Sequence, residues 1–307
     1  MDAKKWGRLL FVLFFFLYTH AQSGSFALNV NDVSGLDSPW PLVGSIPFPR
    51  GVLIDPSSIR IVSGGREVPS QIDVAATWRD GSIRWAFAGF TASPHGQYKV
   101  EFGPGVRRGA YPQPLRVKKG EDGGFTVDTG AAVYQFDGDK LLPEKGWLVS
   151  GSRRTSILEG SGGGAYLVDN SGRTARVAGQ EAEIDNKVLK EGPGRFVVKR
   201  CGWYVTENGE RLARAEMWFY FSANTPVVRI THSLIFTRDT NEIWFKDYGL
   251  EFRTGGAPSS VYCALGEPGK ESIRRIAARG KEVFMLQDTY PHFMERESRE
   301  IGRASCR

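Results

Sequence analysis

Hydrophobic and polar residues alternate in short segments along the first third of the chain, between dense Gly and Pro turns. In segment 82–90, Ile83, Trp85, Phe87 and Gly89 fall on one face of a predicted strand. A large indole on that face predicts that Trp85 is buried in the core of its domain. No helical period appears, so residues 26–108 are predicted to form a small β-barrel or sandwich.

The pattern then changes to longer alternating segments. Pro, Gly, Lys and Arg are concentrated in 109–124, which is interpreted as a linker. Residues 125–299 are predicted to form a larger antiparallel β-sandwich. Its stronger strands are predicted at 195–199, 203–206, 213–222 and 227–237, and only 270–280 weakly indicates a helix. The predicted fold class is therefore all-β, with a small N-terminal domain followed by a large antiparallel sandwich.

The two ends are interpreted apart from the fold. Residues 1–21 carry a basic head and an apolar run that is too short for a membrane span, which predicts a signal peptide cleaved after Ala21. The protein is thus expected to be secreted or periplasmic, with an uncleaved or lipid-modified anchor as the alternative. Residues 300–307, EIGRASCR, resemble a translated sequencing adapter and are expected to be a non-native tail. The alternative is a native disordered tail, and the first interpretation makes the sandwich incomplete.

Charge and cysteine content narrow the classes of partner. The net charge of +6 comes from scattered residues, which argues against nucleic acid and is weakly compatible with an acidic polysaccharide. No stable membrane anchor is expected. Cys201 and Cys263 match no metal motif, and a disulfide and two separate buried thiols both stay open.

Five residues are candidates for chemistry or binding, each with a structural alternative. Trp78 and Trp85 could stack against sugar rings, or they could anchor the core beside the turn that separates them. His232 could be a base, or a hydrogen-bonded histidine on the apolar face of its strand. Lys246 and Asp247 could bind an acidic sugar, or they could form a solvated strand end. No metal site or cofactor is identified.

Four segments add a resemblance to a known family. Residues 46–90 (IPFPRGVLIDPSSIRIVSGGREVPSQIDVAATWRDGSIRWAFAGF) resemble the opening rift-related β-barrel of the exo-rhamnogalacturonan lyases. Residues 189–204 (LKEGPGRFVVKRCGWY), 225–236 (TPVVRITHSLIF) and 243–252 (IWFKDYGLEF) resemble the central β-sandwich of that family. The resemblance runs from about Leu28 to Gln287. It implies a third domain, an α/α toroid that handles most of the saccharide and would follow the sandwich.

The resemblance also implies a reaction, β-elimination on rhamnogalacturonan, an acidic plant polysaccharide. A base must reach the proton beside a uronate carboxylate, and a cation or a basic side chain must neutralise that carboxylate. No catalytic residue is carried over, so the catalytic residues stay unknown and His232, Lys246 and Asp247 remain candidates. Whether a divalent cation binds in the missing domain stays open. The other open interpretation is a carbohydrate-binding module, or a mutarotase-like sandwich of a glycoside hydrolase or epimerase.

Overall fold

The protein is described by a computed structural model over residues 23–30, 38–160 and 164–256, and beyond these over four strands. Strands make up nearly all of its regular structure, as the sequence predicted. In the described residues the helical elements are two 3₁₀ turns, Pro56–Ser58 and Gln180–Ala182. The all-β prediction is confirmed.

Two small sheets build the N-terminal barrel. Its strands are β1 (Gly24–Leu28), β2 (Trp40–Pro47), β3 (Ile59–Ser63), β4 (Arg66–Val68), β5 (Ser70–Thr77), β6 (Ile83–Ala92) and β7 (Tyr98–Phe102). One sheet has the order β1-β7-β3-β4 and the other the order β2-β6-β5, with antiparallel pairing throughout. Together they enclose one hydrophobic core.

The prediction that Trp85 is buried is wrong. On β6 the inward face is that of Ala86, Ala88 and Phe90, whereas Trp85 is 40% exposed and Phe87 is 44% exposed. The cause is a bulge between Ile83 and Trp85, where β6 has one residue more than its partner β5. A single extra residue reverses the face on which the following side chains lie. Ile83 therefore points inward and Trp85 outward, although both lie on one face of an ideal strand.

Two larger sheets form the sandwich. The five-stranded sheet is a meander of β8 (Arg116–Lys119), β9 (Phe125–Asp128), β10 (Ala132–Phe136), β11 (Lys145–Ser150) and β12 (Arg153–Glu159). The seven-stranded sheet contains β13 (Gly164–Asp169), β14 (Thr174–Arg176), β15 (Asp185–Glu191), β16 (Arg195–Thr206), β17 (Arg211–Ser222), β18 (Val228–Phe236) and β19 (Phe245–Glu251). Its order is β18-β17-β16-β14-β13-β19, and β15 pairs with β16 beside β14.

Aromatic side chains fill the space between the two sheets. Phe125 stacks on Phe136 with ring centroids 4.4 Å apart, and Phe136 meets Phe219 edge to face at 5.0 Å. Phe196 and Phe221 complete this fully buried cluster. Such pairs stabilise the fold beyond the area that they bury. The sandwich core therefore depends on contacts between β9, β10, β16 and β17.

A buried arginine interrupts this apolar core. Arg200 on β16 is fully buried, and its guanidinium lies 5.3 Å from the ring centres of both Phe125 and Phe136. Its Nη2 donates to the Asp137 carbonyl at 2.9 Å, while Nε and Nη1 have no hydrogen-bond partner. Burial lowers the pKa of Arg200 to about 10. The aromatic faces and carbonyl oxygens offset part of the cost of burying this charge.

Two other sequence predictions differ from the structure. The segment 109–124, interpreted as a linker, contains β8, and Leu115 within it is buried in the sandwich core. Segment 270–280, which weakly indicated a helix, contains the strand β21 (Ser272–Ala277). It pairs with β20 (Ser260–Leu265), and β22 (Val283–Thr289) pairs with β23 (His292–Glu297). The predicted signal peptide and the predicted tail lie outside the described residues.

Candidate functional site

His232 lies on the inner face of the seven-stranded sheet. Its Nε2 is 3.0 Å from the hydroxyl of Tyr204 on β16, and its ring centre is 6.1 Å from that of Tyr248 on β19. Burial lowers the pKa of His232 and raises that of Tyr204, so both groups favour their neutral forms. His232 thus has the hydrogen-bond partner that the structural alternative expected.

Asp247 lies on the opposite face of the same sheet. In the β13–β19 ladder it is opposite Val168, whereas Tyr248 is opposite the fully buried Leu167. Asp247 accepts a hydrogen bond from the Tyr166 hydroxyl at 3.3 Å. Lys246 is exposed at the bulge where this ladder changes register. The structure therefore does not bring His232 and Asp247 together.

Trp78 is held by the turn that it precedes. Its Nε1 donates to the Phe48 carbonyl at 3.1 Å, and the Arg84 guanidinium covers its ring at 4.8 Å. The turn itself is fixed by Asp80, which accepts hydrogen bonds from the backbone and hydroxyl of Ser82. These bonds lower the pKa of Asp80 to about 2. Trp78 is thus an anchored residue beside the turn, as the structural alternative expected.

A charged cluster joins the barrel to the sandwich, and sequence analysis did not identify it. Asp73 on β5 contacts Lys190 Nζ at 2.7 Å through Oδ1 and Arg195 Nη1 at 3.8 Å through Oδ2. Beside it, buried Gln71 accepts hydrogen bonds from the backbone N–H groups of Gly194 and Arg195, each at 3.0 Å. Two cations thus share one carboxylate at the domain junction.

A cleft of about 310 Å³ opens at this junction. Its walls come from β5, from the start of the segment after the barrel and from the turn between β15 and β16, including Asp73, Arg108, Tyr111 and Gly192. Burial lowers the pKa values of Arg108 and Arg195. Both guanidinium groups remain charged, because arginine does not deprotonate in proteins at neutral pH. The cleft itself combines one cationic side chain, Arg108, with the carboxylates of Asp73 and Glu191.

Three general observations complete the site description. In the described part of the chain, no cluster of three or more His, Cys, Asp or Glu residues could hold a metal ion. Among the same residues, no helix has the length and hydropathy to cross a bilayer. Cys201 is a buried free thiol whose Sγ lies 3.7 Å from Glu216 Oε1, so the disulfide alternative does not hold for it.

Comparisons with known proteins agree with this two-domain architecture. Residues 41–104 match the PcRGLX-like N-terminal RIFT barrel domain, and residues 136–284 match the PcRGLX-like protein central beta sandwich domain. No curated protein and no solved structure matches the chain significantly. The two domain matches follow the same order as the barrel and the sandwich described above. The chain therefore belongs to the PcRGLX-like family of rhamnogalacturonan lyase-type proteins.

Proposed function

We propose that this protein is a secreted polysaccharide lyase that cleaves rhamnogalacturonan by β-elimination. The observation that carries the proposal is the succession of two domains of this family in one chain. The substrate would be an acidic plant polysaccharide, met outside the cell or in the periplasm. Nucleic acid is not proposed as a partner, because the basic residues are scattered over the chain.

The proposed reaction sets clear demands on a site. A base takes the proton from C5 of a galacturonate unit, a double bond forms between C4 and C5, and the C4–O bond breaks. The departing glycosidic oxygen then takes up a proton. The carboxylate at C5 must be neutralised for the carbanion character to be tolerated, so base and cation must be close together.

The candidate residues in the described domains do not meet these demands as one group. His232 is bound to Tyr204 on the inner face of the sheet, while Asp247 is bound to Tyr166 on the outer face. The cations Lys190 and Arg195 lie at the barrel junction. We therefore assign elimination to the α/α toroid implied by the resemblance and saccharide holding to the barrel and sandwich.

Absorbance of the unsaturated uronate product in the ultraviolet tests this proposal. We expect turnover of rhamnogalacturonan by the full gene product and none by the 307-residue chain. Turnover by the 307-residue chain would contradict the assignment of the chemistry to the toroid. In that case His232→Gln, Lys246→Met and Asp247→Asn would be the first variants to compare. No turnover by either protein would contradict the lyase proposal itself.

A carbohydrate-binding module is the second candidate function. The observation that favours it is the outward position of Trp85 and Phe87 on a barrel sheet, since flat apolar rings suit the apolar faces of sugars. Binding of rhamnogalacturonan by the full gene product without any new ultraviolet absorbance would support this alternative.

A further inference from the structure

The outer face of the barrel sheet β2-β6-β5 combines exposed rings with the charged cluster at the junction. Trp85 and Phe87 alternate on the outer face of β6, about 7 Å apart along the strand. The next position on that face is Gly89, and the Arg195 side chain lies over it. The Trp85 ring, the Phe87 ring and the Arg195 side chain thus follow one another along the outer face of β6.

The cationic end of this row is held in place by the barrel. Phe87 is directly opposite Asp73 in the β5–β6 ladder, and Asp73 contacts both Lys190 and Arg195. Gln71 donates its amide N–H to Asp73 at 3.1 Å and accepts from the Arg195 backbone. Lys190 and Arg195 together carry two positive charges and Asp73 carries one negative charge. An excess of positive charge therefore remains beside the Phe87 ring.

The row of aromatic and cationic side chains continues on the outer face of the sandwich. Arg195 is opposite Ser222 in the β16–β17 ladder, so Tyr220 is its diagonal neighbour on the same face. The guanidinium of exposed Arg229 on β18 lies 5.3 Å from the Tyr220 ring centre. A second aromatic ring with a cation therefore follows the junction, and the surface can contact more than one sugar unit.

We propose that Trp85, Phe87, Lys190 and Arg195, here called the junction strip, bind an acidic polysaccharide chain. The apolar face of a neutral deoxy sugar stacks on Trp85 or Phe87. The carboxylate of the adjoining uronate pairs with Lys190, the more exposed of the two cations, and the largely buried Arg195 adds positive charge beside it. Rings alone would suit a neutral glycan, and cations alone would suit any polyanion. Both together favour a polymer in which neutral and acidic units alternate. The identity of that polymer rests on the proposed function.

Affinity electrophoresis of the full gene product in gels that contain rhamnogalacturonan tests the junction strip. The double variant Trp85→Ala/Phe87→Ala is expected to bind about tenfold more weakly than the wild type. Lys190→Gln is expected to weaken binding and to reduce its dependence on salt. The matched control is Trp40→Ala, because Trp40 is 50% exposed on the same sheet but lies opposite the buried Ala92, on the other face from Trp85 and Phe87. A second control is the same polymer with its carboxylates reduced to alcohols.

Each outcome decides the proposal. Loss of binding in the double variant but not in Trp40→Ala, with weaker binding of the reduced polymer, supports it. Wild-type binding by the double variant overturns it, and equal binding of the reduced polymer overturns the role of the cations. The ultraviolet elimination assay on the same proteins separates this failure from that of the proposed function. If the proteins show turnover but the strip variants do not change binding, the junction strip is refuted and the lyase proposal is unaffected.

Discussion

The side chain of Arg195 lies directly across Gly89, so close that a Cβ at position 89 would come within 2.3 Å of Arg195 Cδ. Only glycine lets the arginine cross β6 at this point and reach Asp73. The contact of Arg195 with Gly89 thus connects the sandwich with the barrel at a residue that has no side chain. It also explains a glycine inside a strand, where glycine normally weakens the structure.

Gly89→Ala should therefore weaken the junction. The added methyl group must displace the Arg195 side chain from its place beside Asp73, and we expect a loss of about 1 kcal/mol in the free energy of unfolding. Chemical denaturation measures the change. Gly44→Ala is the matched control, because Gly44 lies on the same sheet and its added Cβ would meet no atom within 4 Å. Equal effects of the two substitutions would contradict the proposed contact.

Trp78 and Trp85 should differ in their contributions to stability. Trp78→Phe removes the donor to the buried Phe48 carbonyl and weakens the contact with Arg84, so we expect a cost of about 1–2 kcal/mol. Trp85→Phe should stay within about 0.5 kcal/mol of the wild type, because the ring is largely outside the core. Urea denaturation of both variants makes the comparison. A larger loss of stability for Trp85→Phe than for Trp78→Phe would mean that Trp85 contributes to the core.

Asp80 should give the barrel an acid-sensitive component of stability. Hydrogen bonds from Ser82 hold its pKa at about 2 in the folded protein, below the ordinary 3.8. A carboxyl whose pKa is lowered by folding stabilises the protein above its unfolded pKa, and this contribution is lost as the pH falls from about 4 to about 2. Stability measured against pH should therefore fall less steeply in this window for Asp80→Asn.

The Ser82→Ala variant tests the physical cause of this effect. Removing the hydroxyl takes away the first of the bonds that hold the pKa down, so the Asp80 pKa should rise in an NMR titration. A pKa that does not change in this variant would show that the Ser82 backbone N–H and Arg50, which also contact Asp80, hold the pKa down without the hydroxyl.

Arg200 should be replaceable by an apolar side chain of similar length. Arg200→Met keeps most of the buried volume and removes a charge that lacks a carboxylate partner, so its stability should lie within about 1 kcal/mol of the wild type. Arg200→Ala should cost about 3 kcal/mol, because it leaves a cavity beside the stacked rings of Phe125 and Phe136. Thermal unfolding distinguishes the two variants. Equal losses would mean that the guanidinium itself is required.

Alternation along the chain predicted the longest sandwich strands well. The predicted segments 213–222 and 227–237 correspond to β17 and β18. Segments 195–199 and 203–206 were predicted separately but form the single strand β16. Between them lies Gly202, where a Cβ would come within 2.6 Å of Val177. The glycine is thus a packing requirement within the strand, which a local pattern does not reveal.

The junction could not be predicted from local patterns. Gln71 and the Arg195 backbone that it binds are 124 residues apart in the sequence. No period of two or 3.6 residues connects positions so distant, and their pairing depends on how two finished domains meet. The Gly-Pro-Gly sequence at 192–194 is typical of a turn, but the contact between Gly194 and Gln71 appears only in the folded chain. The outward position of Trp85 could not be predicted for a related reason, because the bulge is a property of the two paired strands.

The strand β16 determines how a mechanical force on the barrel would be transmitted to the sandwich. It begins at Arg195, where the barrel is bound, passes Arg200 in the core and reaches Tyr204, which holds His232. It pairs along nearly its whole length with β17 on one side and with β15 and β14 on the other. A pull on the barrel along this strand would load these ladders in shear, with many hydrogen bonds resisting together. The few bonds at Gln71 and Asp73 would yield first, so tension would release the barrel while the sandwich kept its shape.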